Sequence, residues 1–190
     1  MVERWKFVKR IVPEPFALFF RDYRNLHPQY RLTYLKVRRV GLLGLRSHSH
    51  PFTPAGVRSI LFVCKGNVIR SPMAAALLKK HLQDAGRETL HISSAGLHAT
   101  AMSGADHRAV IISREYGVCL DEHRARPLTP EQVAEADAIF VMDYRNEAEL
   151  LGRSPGAKRK FYRLCEFAEG LIPNLAEIQY PFGGNASDIH

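Results

Sequence analysis

The chain is poor in cysteine and has no long apolar run, and both shortages exclude classes of protein. Its three cysteines, Cys64, Cys119 and Cys165, lack the paired spacing of a zinc site or a disulfide framework. This usage is typical of a reducing compartment, and we expect neither a metal nor a cofactor. No apolar stretch approaches the roughly 20 residues of a membrane-spanning helix.

The N-terminus also lacks the apolar centre of a signal peptide, because prolines and charged residues interrupt it between Pro13 and Arg21. We therefore expect a cytoplasmic protein. Internal repeats and low-complexity tracts are absent as well. The 190 residues are enough for one domain of ordinary size and an extension.

Acidic residues are scarce in the first 55 positions. That segment holds 11 Lys and Arg against 3 Asp and Glu, whereas residues 56–190 hold 16 of each. The whole net charge of +8 therefore belongs to the N-terminal segment, which also carries half of the aromatic residues. Pro54 and Gly56 follow a Ser/His-rich run and indicate a linker. We predict a basic, aromatic-rich extension over 1–55 and an α/β domain over 56–190.

The extension has too many aromatic residues for plain disorder. Apolar residues recur in it at helical spacing, between Pro15 and Pro28, and predict a short amphipathic helix: Phe16, Phe19, Phe20, Tyr23 and Leu26. Three roles stay open. The aromatic stripe packs on the catalytic domain or on a second copy; the basic residues attach the protein peripherally to an anionic membrane surface; or they bind nucleic acid or an acidic protein. No nucleic-acid-binding motif is present, so that last role ranks lowest.

One motif dominates the remainder of the chain, the run Cys64-Lys65-Gly66-Asn67-Val68-Ile69-Arg70-Ser71-Pro72. It separates an apolar stretch that ends at Val63 from an Ala-rich stretch that begins at Met73, which predicts a strand, a loop and a helix. Pro72 suits a first helical turn, so the loop lies on a helix N-terminus, where free amides favour an anion. Gly66 and Asn67 tolerate the left-handed backbone that turns successive amides inward.

The residue types in this loop suit phosphoryl transfer. Cys64 is the candidate nucleophile, and Arg70 offers a planar fork to two phosphoryl oxygens. Ser71 can donate its hydroxyl to the sulfur when the sulfur leaves. The alternative is a buried structural cysteine that ends a core strand. The loop positions predicted to bind the phosphate group are Lys65, Gly66, Asn67, Val68, Ile69 and Ser71.

Strand and helix patterns alternate after residue 56. The predicted strands are Arg58–Val63, Leu90–Ser94, Ala138–Met142 and Lys160–Leu164, and the predicted helices are Pro72–Ala85, Ala105–Tyr116 and Tyr144–Leu151. Such alternation predicts a doubly wound, four-stranded parallel α/β sheet with helices on both faces. The phosphate loop follows the first strand, at the carboxyl end where such sheets bind ligands.

Further motifs occur in order: Ser94-Ala95-Gly96, Gly104-Ala105-Asp106, His123-Arg124-Ala125-Arg126 and the strand that ends in Met142-Asp143. With the Cys64 loop, they resemble the low-molecular-weight protein tyrosine phosphatases, most closely the bacterial members. The resemblance covers roughly Arg58 to Gly184. It implies a phosphocysteine intermediate on Cys64, with oxygens held by the loop amides and Arg70. It also implies that Ser94 and His123 support the loop, and that the substrate is a phosphotyrosine-bearing protein or a small aryl phosphate.

The chain departs from the family at the general acid. In the family this residue is an Asp that is followed by a proline and an aromatic residue. Tyr180 holds that position here, before Pro181 and Phe182. A tyrosine of ordinary pKa near 10 is a poor proton donor at neutral pH, and loss of general acid catalysis costs about 10²–10⁴ in rate. We predict an impaired phosphatase, with Tyr180 and Phe182 as an aromatic wall. The alternative is a pseudoenzyme that binds phosphotyrosine or phosphate without efficient turnover.

A second departure is Ile69, where many family members carry another cysteine beside the nucleophile. A related family with this fold reduces arsenate through a cysteine relay, which needs closely spaced resolving cysteines. Cys119 and Cys165 are not so spaced, and we predict that both are buried and inert. Arsenate reduction therefore ranks below both phosphate hydrolysis and phosphate binding.

Overall fold

The protein is built on one parallel sheet of four strands. The structure, a computed structural model, describes residues 14–42, 54–87, 89–167 and 177–178. The strands pair in the order β2-β1-β3-β4, and all three pairings are parallel. Their bounds are β1 Ser59–Cys64, β2 His91–Gly96, β3 Ala138–Val141 and β4 Phe161–Arg163. The predicted fold class is confirmed, with each boundary within a few residues.

Six α-helices accompany these strands in the described ranges: α1 Glu14–Asn25, α2 Pro28–Leu42, α3 Arg70–Asp84, α4 His107–Glu115, α5 Pro130–Glu135 and α6 Tyr144–Arg153. The sequence analysis missed α5. Its signal was a capping box, because the Thr129 hydroxyl accepts from the Gln132 amide while the Gln132 side chain accepts from the Thr129 amide.

Both faces of the sheet are apolar, since the inner strands are covered on both sides. Leu61 and Val63 face a core shared with α5 and α6, through Val133 and Leu150. Their neighbours along β1, including Cys64, face the opposite core with Ala75 of α3. Alternation along β1 therefore points the last residue, Cys64, toward the side on which α3 begins.

The helix predicted between Pro15 and Pro28 is confirmed as α1, although Phe20 of its predicted apolar stripe is 52% exposed, and a second helix, α2, follows it. Both helices pack on the α/β domain. Leu26, Tyr34 and Val37 form a buried cluster with Tyr144 and Ala148 of α6. Tyr34 is fully buried. Of the three roles left open for the extension, packing on the catalytic domain is the one that the contacts of residues 14–42 display.

Helices α2 and α6 pack closely because each helix places a tyrosine ring against a glycine of the other. A Cβ on Gly41 of α2 would overlap the Tyr144 ring, and a Cβ on Gly152 of α6 would overlap the Tyr30 ring. Each helix thus supplies the bare backbone on which a tyrosine of the other rests. Within the described ranges, no helix combines the length and apolar character needed to cross a bilayer.

Candidate active site

The loop after β1 is fastened to the segment that follows β2. The amides of Leu97 and His98 donate to the carbonyls of Cys64 and Lys65, at 2.9 and 2.7 Å. Gly96 lies beneath the loop, and a Cβ there would come within 2.8 Å of the Asn67 nitrogen. The close approach of the two backbones requires a glycine, which is the physical content of the Ser-Ala-Gly motif.

The Cys64 sulfur lies at the base of the loop and is buried, with 3% of the residue exposed. Its Sγ accepts a hydrogen bond from the Asn67 amide at 3.2 Å. The Ser71 hydroxyl lies 3.1 Å from the same sulfur, within hydrogen-bond distance of it. Asn67 has a φ of 53°, the left-handed conformation that turns its amide inward, whereas Gly66 has no positive φ. Of the two residues expected to tolerate this backbone, only Asn67 adopts it.

Asn67 is the hub that holds the loop in shape. Its Nδ2 donates to the Ser71 and Ser94 hydroxyls, both at 2.9 Å, and its Oδ1 accepts from the Arg126 amide at 2.9 Å. His123 Nε2 lies 2.7 Å from the Asn67 carbonyl, which can only accept, so Nε2 carries the proton. Burial lowers the pKa of His123, which favours a neutral ring. The structure thus gathers the residues predicted to support the loop.

Two of the predicted phosphate-binding positions are packed into the protein by their side chains. Ile69 is buried with Ala109 and Leu120, and Val68 packs against the same cluster. The Val68 carbonyl accepts from the Asp106 amide at 2.9 Å. Because these side chains face the core, only the backbone groups of Val68 and Ile69 are suited to contact a phosphate group. The predicted phosphate contact of both residues is therefore limited to their backbone.

Arg70 is held by a partner to which the sequence analysis gave no role. Its Nη1 donates to Asp143 Oδ2 at 2.6 Å and to the Ile178 carbonyl at 2.7 Å. The two charged side chains are only 5% and 11% exposed. The sequence position of Asp143 could have indicated this contact. Asp143 follows β3, and because β3 pairs in parallel with β1, the carboxyl ends of the two strands lie side by side. Removing one member of such a buried pair typically costs about 3–5 kcal/mol.

Glu177 is the second residue that the sequence analysis missed. The Ile178 amide donates to the Met142 carbonyl at 2.8 Å, which places this short segment beside the end of β3. Glu177 Oε1 accepts from the Tyr144 amide at 2.8 Å, and Oε2 lies 3.6 Å from Arg38 Nη1 of the extension. Burial, followed by the nearby negative charge of Asp143, raises the pKa of Glu177 to about 7. A carboxyl that titrates at neutral pH therefore lies three residues before Tyr180.

The two aromatic residues of the expected acid loop, Tyr180 and Phe182, lie outside the described residues, so their roles stay predictions. The two remaining cysteines differ from each other. Cys165 is partly buried, and burial raises the pKa of its thiol to about 11, which favours an inert thiol. The prediction that Cys119 is buried is wrong, because this residue is exposed after α4 and its thiol donates to Asp121 at 2.9 Å.

A cleft of about 460 Å³ adjoins the loop. One wall contains Lys65 and Arg70 of the loop with His98, and another contains the start of α6. The third wall is the corner between α1 and α2, from Arg24 to Arg31. The extension therefore helps to form the cleft beside the candidate nucleophile. In the part of the chain that the structure describes, no three His, Cys, Asp or Glu residues are placed to hold a metal ion.

A buried cysteine under a helix-opening loop, with an arginine at the loop's end and at the carboxyl edge of a parallel sheet, is an arrangement suited to a cysteine-based phosphatase. Comparison with known proteins gives the same class. Residues 59–190 match the family described as low molecular weight phosphotyrosine protein phosphatase. The chain belongs to this family, whose members are hydrolases.

Three relatives illustrate the match. The chain is 38% identical over 113 residues to the "probable low molecular weight protein-tyrosine-phosphatase EpsP" of Ralstonia nicotianae, covering 60% of this chain and 74% of the relative. It is also 38% identical over 125 residues to a protein-arginine-phosphatase of Geobacillus stearothermophilus, covering 66% and 79%. The crystal structure of the tyrosine phosphatase AmsI from Erwinia amylovora superposes with a TM-score of 0.62 at 33% identity, covering 73% of this chain and 85% of AmsI.

Proposed function

We propose that the protein hydrolyses phosphotyrosine, or a related aryl phosphate, through a phosphocysteine on Cys64. The observation that carries this proposal is the 3.2 Å hydrogen bond from the Asn67 amide to the Cys64 sulfur, at the base of a loop that opens a helix. A cysteine sulfur at the base of an anion-binding loop is placed to attack the phosphorus of a phosphate group bound there. The proposed partner is a protein that carries phosphotyrosine.

The reaction takes two steps. Cys64 Sγ attacks phosphorus as the bond from phosphorus to the aryl oxygen breaks, and the leaving phenolate takes a proton from solvent water. Water then attacks the phosphocysteine, the S–P bond breaks, and phosphate leaves while the Ser71 hydroxyl stabilises the thiolate. The loop amides and Arg70 hold the equatorial oxygens while their charge develops. Asp143 orients Arg70 for this role, because its Oδ2 accepts a hydrogen bond from Arg70 Nη1 at 2.6 Å.

We further propose that turnover is limited by the protonation of the leaving group. Tyr180 occupies the acid position, and a tyrosine hydroxyl transfers a proton poorly at neutral pH. The expected deficit is about 10²–10⁴ in rate for poor leaving groups and smaller for activated ones. Its extreme case is the second candidate function, a protein that binds phosphotyrosine without efficient turnover, and Tyr180 is the feature that favours it.

Phosphoarginine is the substrate that the names of some relatives suggest. The charge of the cleft favours an aryl phosphate instead. Five Lys and Arg residues and two acidic residues line it. Both acidic residues are already paired, Asp143 with Arg70 and Glu149 with His98 and Arg153. The guanidinium of a phosphoarginine would enter an environment of like charge, which opposes binding.

Steady-state hydrolysis of aryl phosphates with leaving groups of increasing pKa tests the proposal. The wild type, Cys64→Ser and, as a matched control at an exposed cysteine, Cys119→Ser should be compared. We expect activity that Cys64→Ser abolishes and Cys119→Ser retains, and that falls steeply as the leaving group worsens. Absence of turnover on the most activated ester, with vanadate still bound, would instead establish the binding protein.

A further inference from the structure

The cleft beside the phosphate loop has a wall that the family match does not cover. The match begins at residue 59, whereas the corner from Arg24 to Arg31 belongs to the extension. This corner meets Lys65 and Arg70 across one continuous cleft. Any substrate whose phosphate enters the loop therefore leaves its neighbouring atoms next to the extension.

The corner is held rigidly. Arg31 Nε donates to the Leu26 carbonyl at 3.2 Å, and its Nη2 donates to the Arg24 carbonyl at 3.1 Å. These bonds satisfy carbonyl groups at the end of α1, which otherwise lack partners. The same guanidinium lies 5.3 Å above the Tyr23 ring. Arg31 thereby fixes the backbone from which the Arg24 side chain projects.

The cleft carries an excess of positive charge next to the loop. Its two carboxylates are neutralised by internal ion pairs, as described above. A third carboxylate, on the buried Asp22, lies behind the wall, where Arg21 and Arg145 approach it at 3.2 and 3.4 Å. Arg24 is exposed, and no carboxylate of the described residues pairs with its side chain. The edge of the cleft at Arg24, here called the rim, therefore presents a positive charge to solvent without a counter-charge from the described residues.

We propose that this rim is a second anion subsite, which binds an anionic group carried by the substrate beside the phosphate that is removed. The inference rests on the proposed function. The occupant is a protein segment in which phosphotyrosine has acidic neighbours, either Asp and Glu or a second phosphotyrosine. A volume of about 460 Å³ is that of a site for a ligand larger than one phosphate group. The concave shape suits a chain segment better than a flat bilayer.

A set of three peptides tests the subsite. They share one phosphotyrosine and differ only in the flanking positions, which hold Gln, Glu or a second phosphotyrosine. For the wild type we expect kcat/KM to be about threefold to fivefold higher with Glu flanks than with Gln flanks, which is the upper part of the range for one exposed charge pair. The preference should shrink as salt increases. A gain confined to the doubly phosphorylated peptide would assign the subsite to phosphate; a gain with both peptides would assign it to either anion.

Arg24→Gln should bring the ratio of kcat/KM for Glu over Gln peptides close to one. Arg39→Gln is the matched control, because it removes the same charge from an exposed arginine of α2 outside the cleft. We expect Arg39→Gln to keep the ratio. Equal wild-type values of kcat/KM for all three peptides, or an equal loss of preference in both variants, would overturn the subsite.

The design separates this proposal from the one on which it rests. If the wild type hydrolyses all three peptides equally, the phosphatase assignment stands and the subsite fails. If no peptide is hydrolysed through Cys64, the assignment as an enzyme fails. The same preference is then measured as a ratio of Kd values for Cys64→Ser, which keeps the rim intact and needs no turnover.

Discussion

Asp143 binds Arg70 with one carboxylate oxygen and begins helix α6 with the other. Oδ2 accepts from Arg70 Nη1 at 2.6 Å, while Oδ1 accepts from the Asn146 amide at 2.7 Å. The residue that holds the guanidinium proposed to bind phosphate is therefore also the N-cap of the helix on which the extension packs. The active site and the extension share one structural support.

Asp143→Asn tests this support. Loss of the charge leaves Arg70 without its buried counter-ion, and the single side-chain oxygen of Asn cannot accept from both Arg70 and the Asn146 amide. We expect the free energy of unfolding to fall by about 3–5 kcal/mol. We expect kcat/KM on aryl phosphates to fall at least tenfold, because Arg70 is no longer held in place. Urea denaturation and steady-state kinetics measure the two effects. Asp84→Asn, at an exposed ion pair with Lys80, is the control and should change stability by less than about 1 kcal/mol.

Tyr180→Asp restores a carboxyl at the predicted acid position. We expect kcat on phenyl phosphates with poor leaving groups to rise at least tenfold, because general acid catalysis typically contributes about 10²–10⁴. The rise should be small for activated esters, whose leaving groups need no proton. Tyr180→Asn has a similar size and no acid, and it serves as the control. An equal gain with Tyr180→Asn would show that removal of the ring, not proton donation, caused the effect.

Glu177→Gln tests the buried carboxyl beside β3. Its folded-state pKa of about 7 lies above the ordinary value of 4.5, so the folded protein holds this proton more tightly than the unfolded chain. The stability that the protonated form contributes is fully present below about pH 4.5 and is lost as pH rises through about 7. Urea denaturation at pH 5 and pH 8 should show a smaller difference in the variant than in the wild type. An unchanged difference would mean that Glu177 does not carry this proton.

Gly41→Ala tests the close approach of α2 and α6. The added methyl group would overlap the buried Tyr144 ring. Overpacking of this kind costs about 1–3 kcal/mol, which exceeds the gain of up to about 1 kcal/mol in helix propensity. We expect lower stability and faster proteolysis of the extension. Leu32→Ala, at a side chain 71% exposed on the same helix, should have little effect on either measurement.

The local motifs of this chain were readable from sequence because each answers a local requirement. Asn67 is needed for a left-handed turn, and a side chain at position 96 would collide with the loop. The strands followed from apolar runs, and their parallel order followed from alternation with helices. Helix α5 was not predicted because it is only six residues long, which is too short to show a helical repeat of apolar residues.

Partners distant in sequence could not be predicted in the same way. Arg70 and Asp143 are 73 positions apart, and Arg38 meets Glu177 from a segment that the family match does not include. Each contact depends on which strand ends lie side by side and on where the extension packs. The packing of the extension was one of three roles that composition alone left open. Burial, which raises the pKa of Glu177, is likewise a property of the folded arrangement.

The two contacts of a tyrosine ring with a glycine between α2 and α6 have a consequence for protein engineering. Moving residues 14–42 onto another member of the family requires a glycine equivalent to Gly152, to receive Tyr30, and a tyrosine equivalent to Tyr144, to rest on Gly41. In a recipient with any larger residue at the position of Gly152, that side chain would overlap the Tyr30 ring and prevent the packing of α2. The extension is therefore a matched component of this catalytic domain and not a portable module.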